Sequence, residues 1–367
     1  MSKEYSEKET AFMRRALALA RKGLGQTSPN PMVGAIVVKG GSVVGEGYHR
    51  RAGKEHAEVI ALKEAGKKTR GGILFVNLEP CSHFGRTAPC VEAIASAGIR
   101  KVYTSVVDPN PLVNGKGLTF LRKRKIEVEV GLLADKAREL NEVHFKVMQK
   151  KLPFVTLKFA QSLDGRIATK SHDSRWISGE EARRFAHFLR ATHDAVLVGR
   201  KTVETDDPQL TVRMVKGKNP LRLVLDTEGK LSASSKLIQE NEDGRTVLIS
   251  GRRDPSNCGL RGEVTVWPVG LKNGRIDLRA ALKKALAQGV TSVLVEGGAG
   301  VVTNFVKEKL ADKMYIATAP LIIGEGISAI GDLGVEKLSQ AVRFERVQYK
   351  KLGQDFLFSG YPVCSPA

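Results

Sequence analysis

A histidine and two cysteines between positions 56 and 90 constrain this chain more than any other feature of its sequence. His56 opens the triplet His56-Ala57-Glu58, Cys81 follows a proline, and Cys90 comes after eight intervening residues. One imidazole and two thiolates suit Zn²⁺, and three protein ligands leave the fourth tetrahedral position open for water, as in catalytic rather than structural sites. The stretch therefore predicts a catalytic zinc centre.

Glu58 has a role that its spacing from His56 restricts. Two residues are too few for both side chains to bind a metal from one helical face. In the first turn of a helix, however, the carboxylate can lean over the metal-bound water, take its proton and deliver it to a leaving amine. This is hydrolytic deamination, and His-x-Glu with Pro-Cys-x-x-Cys is typical of zinc nucleobase deaminases. Here eight residues, not two, separate the cysteines.

Blander interpretations fit the same residues. His56, Cys81 and Cys90 could be ordinary buried side chains, or ligands of a structural zinc whose fourth ligand is not identified. The order of His-x-Glu, Pro-Cys and Cys, with a helix, a strand and a loop between them, favours the catalytic site. Cys258 and Cys364 are interpreted as reduced thiols, because four cysteines in 367 residues do not make a disulfide scaffold.

Length and charge set further bounds. A chain of 367 residues predicts two domains. The net charge of +20 admits nucleic-acid binding, but no recognition motif accompanies it, and a basic surface that attracts phosphorylated small molecules is the simpler account. No apolar run reaches about eighteen residues, and the charged N-terminus is unlike a signal peptide. We expect a cytoplasmic homo-oligomer that binds neither nucleic acid nor membrane.

The first half alternates strands with helices, which predicts an α/β layered domain with a mostly parallel sheet. Asn30 lies between two prolines, where its amide is either held for a heterocycle edge or part of a plain turn. The zinc histidine and Cys90 are predicted at the starts of two helices. One helix is predicted over residues 133–149, and the domain boundary near residue 150.

The second half again reads as strands and helices. Ser178-Gly179-Glu180-Glu181 predicts a capping box at a helix start. A buried strand over residues 291–295 runs into Glu296-Gly297-Gly298, and such a turn is either a phosphate-binding site or a plain strand-to-helix connection.

Motifs in both halves resemble one family, the bifunctional deaminase/reductase of riboflavin biosynthesis. The loop from Pro80 to Cys90 resembles the family's long cysteine loop, although Ala88 stands where the family usually has proline. Residues 157–165, 202–213 and 295–298 resemble its reductase motifs, and the likeness spans residues 7–360. It implies a cytidine-deaminase-like three-layer domain (1–150) and a dihydrofolate-reductase-like domain (151–367).

The resemblance also implies the chemistry. The first domain would deaminate 2,5-diamino-6-ribosylamino-4(3H)-pyrimidinone 5′-phosphate with one catalytic Zn²⁺, releasing ammonia. The second would reduce the ribosyl group to ribityl with NADPH, giving 5-amino-6-ribitylamino-uracil 5′-phosphate. Rival interpretations are a nucleic-acid base deaminase with a basic domain and a binding protein with structural zinc.

Residue by residue, the resemblance makes His56, Cys81 and Cys90 the zinc ligands and Glu58 the proton shuttle. Around the pyrimidine it places Asn30, His49, His83, Arg86 and Asn110. Around NADPH it places Ala160, Trp176, Thr202, Asp206, Thr227, Gly298, Ala299 and Gly300. Around the reductase substrate it places Ser174, Arg190, Leu210, Arg213 and Glu296. Lys158 is a further candidate there, and Lys158 and Glu296 are candidate proton donors. We expect Arg190 and Arg213 to clamp a phosphate; Lys158 could instead form a salt bridge at a strand edge.

Overall fold

The computed structural model describes residues 4–84, 88–251 and 264–363. The chain separates into two compact units, Met1–Lys151 and Leu152–Ala367. In the described ranges, no helix is both long enough and apolar enough to cross a membrane. Arg86, Cys258 and Cys364 lie outside the described residues.

The first unit is built on a five-stranded sheet of order β2-β1-β3-β4-β5. Its strands are β1 (Gly34–Lys39), β2 (Ser42–Tyr48), β3 (Ile73–Val76), β4 (Lys101–Thr104) and β5 (Glu127–Val130). Its helices are α1 (Glu7–Arg21), α2 (Ala57–Ala65), α3 (Cys90–Ser96), α4 (Lys116–Lys123), α5 (Ala134–Leu140) and α6 (Glu142–Lys150). The predicted, mostly parallel sheet is mixed instead, because β1 pairs antiparallel with both β2 and β3.

Helices cover both faces of this sheet, because the side chains of its strands alternate. Along β1, Ala35 and Val37 pack with buried residues of α2, α3 and α4, whereas Ile36 and Val38 pack with α1. The close approach of α2 depends on glycine: a Cβ at Gly47 would lie 2.5 Å from the carbonyl oxygen of Ala57. The predicted three-layer domain is therefore confirmed.

The helix predicted over residues 133–149 is wrong as a single element. It is broken into α5 and α6 at Asn141, whose φ of −109° and ψ of 26° depart from helical values. The side chain of Asn141 accepts a hydrogen bond from the Met32 amide and donates one to the Met32 carbonyl. The pattern of apolar residues could not show this long-range contact.

The second unit has a nine-stranded sheet of order β11-β10-β9-β8-β14-β6-β15-β18-β17. The sheet strands are β6 (Phe154–Gln161), β8 (Ala195–Gly199), β9 (Leu221–Asp226), β10 (Thr246–Ser250), β11 (Thr265–Pro268), β14 (Ser292–Val295), β15 (Lys313–Thr318), β17 (Arg343–Leu352) and β18 (Asp355–Val363). Two short pairs join β7 (Arg166–Thr169) to β16 (Gly326–Ser328) and β12 (Leu271–Lys272) to β13 (Arg275–Ile276). The helices are α7 (Glu180–Thr192), α8 (Arg200–Asp206), α9 (Lys236–Gln239), α10 (Leu278–Ala287) and α11 (Ala299–Lys307).

The first seven strands in this sheet order, from β11 through β10, β9, β8, β14 and β6 to β15, run parallel to one another. Strand β18 pairs antiparallel with β15, and β17 pairs antiparallel with β18. One face packs against α10 and α11, and the other against α7, α8 and α9. In such sheets, ligands bind where the parallel strands end. The capping box predicted at Ser178 is wrong: Gly179 is the N-cap of α7, and its amide donates to Asp355.

Candidate active sites

The three predicted zinc ligands converge in the first unit. The Nδ1 atom of His56 lies 3.2 Å from the Cys90 sulfur and 3.5 Å from the Cys81 sulfur. All three ligand atoms lie within 4.8 Å of one another. A tetrahedral ion with ordinary Zn–N and Zn–S bonds separates such atoms by about 3.5 Å. The donor set and its spacing therefore fit Zn²⁺.

Local structure explains how these ligands meet. His56 is the N-cap of α2, and Cys90 is the first residue of α3. The backbone amide of Cys90 lies 3.4 Å from the Cys81 sulfur, so the start of α3 directs N–H groups at this thiol. Hydrogen bonds with Cys90 and His56 lower the pKa of Cys81 to about 4. The pKa of Cys90 is raised instead, by its hydrogen bond with Cys81 and by burial. One thiolate is thus favoured before any metal binds.

Glu58 lies in the first turn of α2 and is 3% exposed. Burial, followed by the charge of Cys81, raises its pKa to about 7, and its side chain is hydrogen-bonded with Cys90. The carboxyl group is thus beside the ligand cluster without belonging to the set of His56, Cys81 and Cys90 that fits the metal. Such a group can exchange a proton near neutral pH.

Asn30 and His49 meet next to the zinc ligands. The Asn30 amide nitrogen lies 3.1 Å from Nε2 of His49, and Nδ1 of His49 lies 3.1 Å from the Glu55 carbonyl oxygen. Because that oxygen can only accept, Nδ1 carries the proton and Nε2 accepts from Asn30. The His49 ring stands edge-on to His56, with centroids 5.3 Å apart. Burial lowers the pKa of His49, which favours this neutral form.

His83 and Asn110 are two further residues that were predicted to contact the pyrimidine. His83 is in the loop after Cys81, and its Nδ1 is buried without a hydrogen-bond partner. The side-chain oxygen of Asn110 accepts from the amide of Leu112. Asn110 thus forms a side-chain hydrogen bond within its own segment.

In the second unit, a cavity of about 670 Å³ gathers most of the residues predicted for the reductase. Those that line it are Lys158, Ala160, Ser174, Trp176, Arg190, Thr202, Asp206, Leu210, Arg213, Glu296, Gly298 and Ala299. Thr227 and Gly300 are not among the lining residues. The positive φ of Gly298, +67°, favours glycine, and a Cβ there would lie 2.9 Å from the Thr202 hydroxyl. The Gly-rich turn therefore opens α11 at the cavity wall.

A buried ion pair between Arg190 and Glu296 lies in the wall of this cavity. Nε and Nη2 of Arg190 donate to the two oxygens of Glu296 at 2.7 and 2.6 Å, and Nη1 donates to the Thr211 carbonyl. The side chains are 13% and 8% exposed. Burial raises the pKa of Glu296, but the Arg190 guanidinium outweighs it and holds that pKa below its usual value. The guanidinium of Arg190 is thus engaged within the protein. Arg213 is exposed, and its Nη1 donates to Gln209 and, at 2.8 Å, to the Thr211 hydroxyl.

Lys158 lies on an interior strand, since β6 runs between β14 and β15. The alternative of a salt bridge at a strand edge is therefore wrong. Burial lowers the pKa of Lys158, and the charge of Glu296 acts against that shift. Its ammonium group therefore holds its proton less tightly than a lysine in water does.

His187 is a cavity residue that the sequence did not single out. Its Nδ1 accepts a hydrogen bond from the Arg213 amide at 3.1 Å. Burial, Arg190 and Arg213 lower its pKa to about 4, against an opposing effect of Glu296. The ring is therefore neutral at pH 7 and holds the backbone at Arg213. Its position three residues before Arg190 on α7 was the available signal, because residues at this spacing share a helical face.

His187→Asn is expected to reduce the loss of unfolding free energy that the protein suffers at acidic pH. In the unfolded chain a histidine has a pKa of ~6.5, whereas the pKa of His187 in the folded protein is about 4. The unfolded state therefore takes up this proton first as the pH falls, so the stability is complete above pH ~6.5 and is lost between pH ~6.5 and 4. Asparagine cannot take up this proton, yet its oxygen can accept from Arg213. We expect acidification to pH 4.5 to cost the variant less, by roughly 2–3 kcal/mol.

Urea unfolding followed by tryptophan fluorescence measures this difference. Both tryptophans of the chain, Trp176 and Trp267, belong to the second unit. Equal pH slopes for the variant and the parent chain would count against a buried neutral His187.

Two families match the chain. The family described as the cytidine and deoxycytidylate deaminase zinc-binding region matches residues 6–106, and the RibD C-terminal domain matches residues 153–358. The chain is 45% identical over 347 residues to the riboflavin biosynthesis protein RibD of Aquifex aeolicus, covering 94% of this chain and 96% of the relative. It is 37% identical to RibD of Escherichia coli, with 94% and 96% covered.

Solved structures agree with these matches. The structure of Acinetobacter baumannii RibD, form 1, superposes with a TM-score of 0.88 at 37% identity, covering 97% of this chain and 99% of the other. A diaminohydroxyphosphoribosylaminopyrimidine deaminase/5-amino-6-(5-phosphoribosylamino)uracil reductase of Thermotoga maritima superposes with a TM-score of 0.85 at 36% identity, with 97% and 99% covered. The chain belongs to the RibD family of riboflavin biosynthesis, bifunctional enzymes that join a zinc-dependent deaminase to an NADPH-dependent reductase.

Proposed function

We propose that the first unit deaminates 2,5-diamino-6-ribosylamino-4(3H)-pyrimidinone 5′-phosphate at the cluster of His56, Cys81, Cys90 and Glu58. The carrying observation is that three metal-binding side chains and a buried carboxyl group of raised pKa converge at the starts of α2 and α3. Water replaces the ring amine, the amine leaves as ammonia, and a carbonyl remains on the ring.

His56, Cys81 and Cys90 hold the zinc in this proposal, and the zinc supplies a Lewis acid that activates water near neutral pH. Glu58 takes a proton from the attacking water and gives it to the leaving amine. Asn30 donates to His49 through one N–H, which leaves its second N–H and its carbonyl oxygen for the pyrimidine edge. His83, Arg86 and Asn110 stay predictions for the same substrate.

The second unit, we propose, reduces the ribosyl side chain in the cavity bounded by Lys158 and Glu296. NADPH supplies the hydride, and the proposed contacts are the predicted cofactor residues, with Thr227 and Gly300 beyond the cavity lining. The exposed Arg213 suits the substrate phosphate, because the donors of Arg190 are engaged with Glu296 and Thr211. Lys158 is the proposed proton donor.

We further propose that the domains are residues 1–150 and 151–367. The division of contacts after Lys151 and the family match that starts at residue 153 support this boundary. A fragment ending at Lys150 is expected to bind zinc and release ammonia from the substrate without NADPH.

Self-association is also part of the proposal. Strand β17 forms an edge of the nine-stranded sheet, and Tyr349 and Phe356 of the β17–β18 hairpin are 76% and 59% exposed. A long exposed edge with apolar side chains is typical of an interface. Light scattering on the full chain tests this, and a monomeric mass at micromolar concentration would reject it. A cytoplasmic location stays a prediction.

The two activities are tested in one experiment on the full-length protein. The diaminopyrimidine ribosyl phosphate is added first without NADPH, and ammonia release is followed; NADPH is then added and its oxidation is recorded. We expect ammonia first, followed by oxidation of about one NADPH per ammonia. Zinc-loaded protein that gives neither signal would reject both assignments, and ammonia from single-stranded oligonucleotides would favour a nucleic-acid deaminase.

A further inference from the structure

Glu79 is a buried carboxylate that the proposed mechanism does not use. It is 3% exposed, and both of its oxygens accept from backbone amides of one segment, residues 108–118. Oε2 accepts from Asp108 at 3.1 Å and Gly115 at 2.9 Å; Oε1 accepts from Gly117 at 3.0 Å and Leu118 at 3.3 Å. Four backbone amides thus donate to one side chain and hold this segment in place. Loss of the buried acceptor would be costly, because it would leave these amides without a hydrogen-bond partner.

This segment carries Asn110, one of the predicted pyrimidine contacts. The Asn110 amide donates to Asp108 Oδ1 at 2.8 Å, and Nε2 of His144 lies 2.9 Å from the same oxygen. Asp108 in turn donates its amide to Glu79. A continuous series of hydrogen bonds therefore runs from Glu79 through Asp108 to Asn110.

Glu79 also fixes this segment to the base of the zinc loop. Gly117 packs so tightly on the residue before Cys81 that a Cβ there would lie 2.2 Å from the carbonyl oxygen of Pro80. Gly117 and Leu118 are in the first turn of α4, where backbone amides lack partners within the helix. Glu79 supplies those partners and brings negative charge to the positive end of the helix.

We propose that Glu79 is a positioning residue of the deaminase site, which holds Asn110 and the base of the Cys81 loop in a fixed relation. The inference rests on the proposed substrate contact of Asn110. Because Glu79 itself touches neither reacting group, its loss alters substrate binding more than the proton transfer at Glu58.

Glu79→Gln tests this with a side chain of the same size. Glutamine keeps one acceptor oxygen and directs an NH₂ group at two backbone amides. We expect the KM of deamination to rise at least about tenfold, with kcat within about threefold, because hydrogen bonds to a charged acceptor are lost. We also expect faster transfer of zinc to a chromogenic chelator, a readout that is independent of activity.

A double-mutant cycle with Asn110→Ala separates positioning from general damage. If Glu79 acts through Asn110, the double variant has the KM of Asn110→Ala alone. Effects that multiply would overturn the inference, as would an unchanged KM in Glu79→Gln. If Asn110→Ala itself leaves KM unchanged, the proposed substrate contact fails, and the route from Glu79 through it fails as well.

Asp194→Asn is the matched control. Asp194 is a carboxylate of the second unit that likewise accepts backbone amides, from Thr291 at 2.8 Å and Ser292 at 3.1 Å. Its substitution is expected to leave the KM of deamination unchanged. If Glu79→Gln does not fold, Glu79→Asp, with the carboxylate one methylene shorter, takes its place in the same cycle.

Discussion

Glu58→Gln is expected to abolish ammonia release while zinc stays bound. The side chain lies beside the cluster of His56, Cys81 and Cys90, but it is not one of the three residues that fit the metal. Glutamine keeps the size of the side chain and loses the ability to carry a proton from water to the leaving amine. Removing a positioned general acid–base lowers the rate by roughly 10²–10⁴-fold.

The measurement is ammonia release at saturating substrate, with zinc quantified in the same preparation. NADPH-dependent reduction of supplied 5-amino-6-ribosylamino-uracil 5′-phosphate should be unchanged, since that cavity lies in the other unit. Glu64→Gln is the matched control, because Glu64 is an exposed glutamate of the same helix. Turnover retained in Glu58→Gln would remove the proton-shuttle role, and loss of zinc would make Glu58 part of the metal site.

The zinc cluster was predictable from sequence because its geometry is set locally. A histidine at the start of one helix, a loop cysteine and a cysteine at the start of the next helix converge once β3 and the two helices form. Glu58 follows from the same local argument, since the first turn of α2 fixes its direction from His56. Resemblance supplied the reductase residues, most of which the cavity brings together.

Other features depend on contacts between distant residues, which a pattern of residue types does not encode. The helix predicted over residues 133–149 is interrupted at Asn141, whose side chain is hydrogen-bonded to the backbone of Met32. The N-cap of α7 is Gly179 rather than Ser178, and the Gly179 amide donates to Asp355. Glu79 lies two residues before Cys81 in the sequence, yet its four amide partners lie in residues 108–118. In each case a side-chain or amide partner far along the chain overrides the local preference.

The ion pair of Arg190 is likewise a contact between distant residues that the sequence did not reveal. From sequence, two arginines suggested a clamp for phosphate, but Arg190 and Glu296 form a buried bidentate pair between α7 and the end of β14. The pair sets the electrostatics of the cavity, because Glu296 opposes the lowering of the pKa of both Lys158 and His187. Glu296 therefore affects the charge of the proposed proton donor as well as the fold.

Glu296→Gln is accordingly expected to stop NADPH-dependent reduction and to weaken the second unit. The variant leaves the Arg190 guanidinium buried without a counter-charge, and breaking such a pair costs on the order of 3–5 kcal/mol. It also removes the charge that supports protonation of Lys158, so the pKa of Lys158 falls further. We expect NADPH oxidation to fall at least roughly 100-fold and ammonia release to persist.

Urea unfolding by tryptophan fluorescence measures the stability, since both tryptophans report on this unit. Glu180→Gln is the matched control, because Glu180 pairs with Arg184 at 3.0 Å on the exposed face of α7, and such a surface pair contributes less than about 1 kcal/mol. Equal losses in the two variants would show that the Arg190–Glu296 pair is no more than a surface ion pair. A destabilised Glu296→Gln that still oxidises NADPH at the parent rate would instead confine Glu296 to folding, and the proposed contact with the ribosyl substrate would fall.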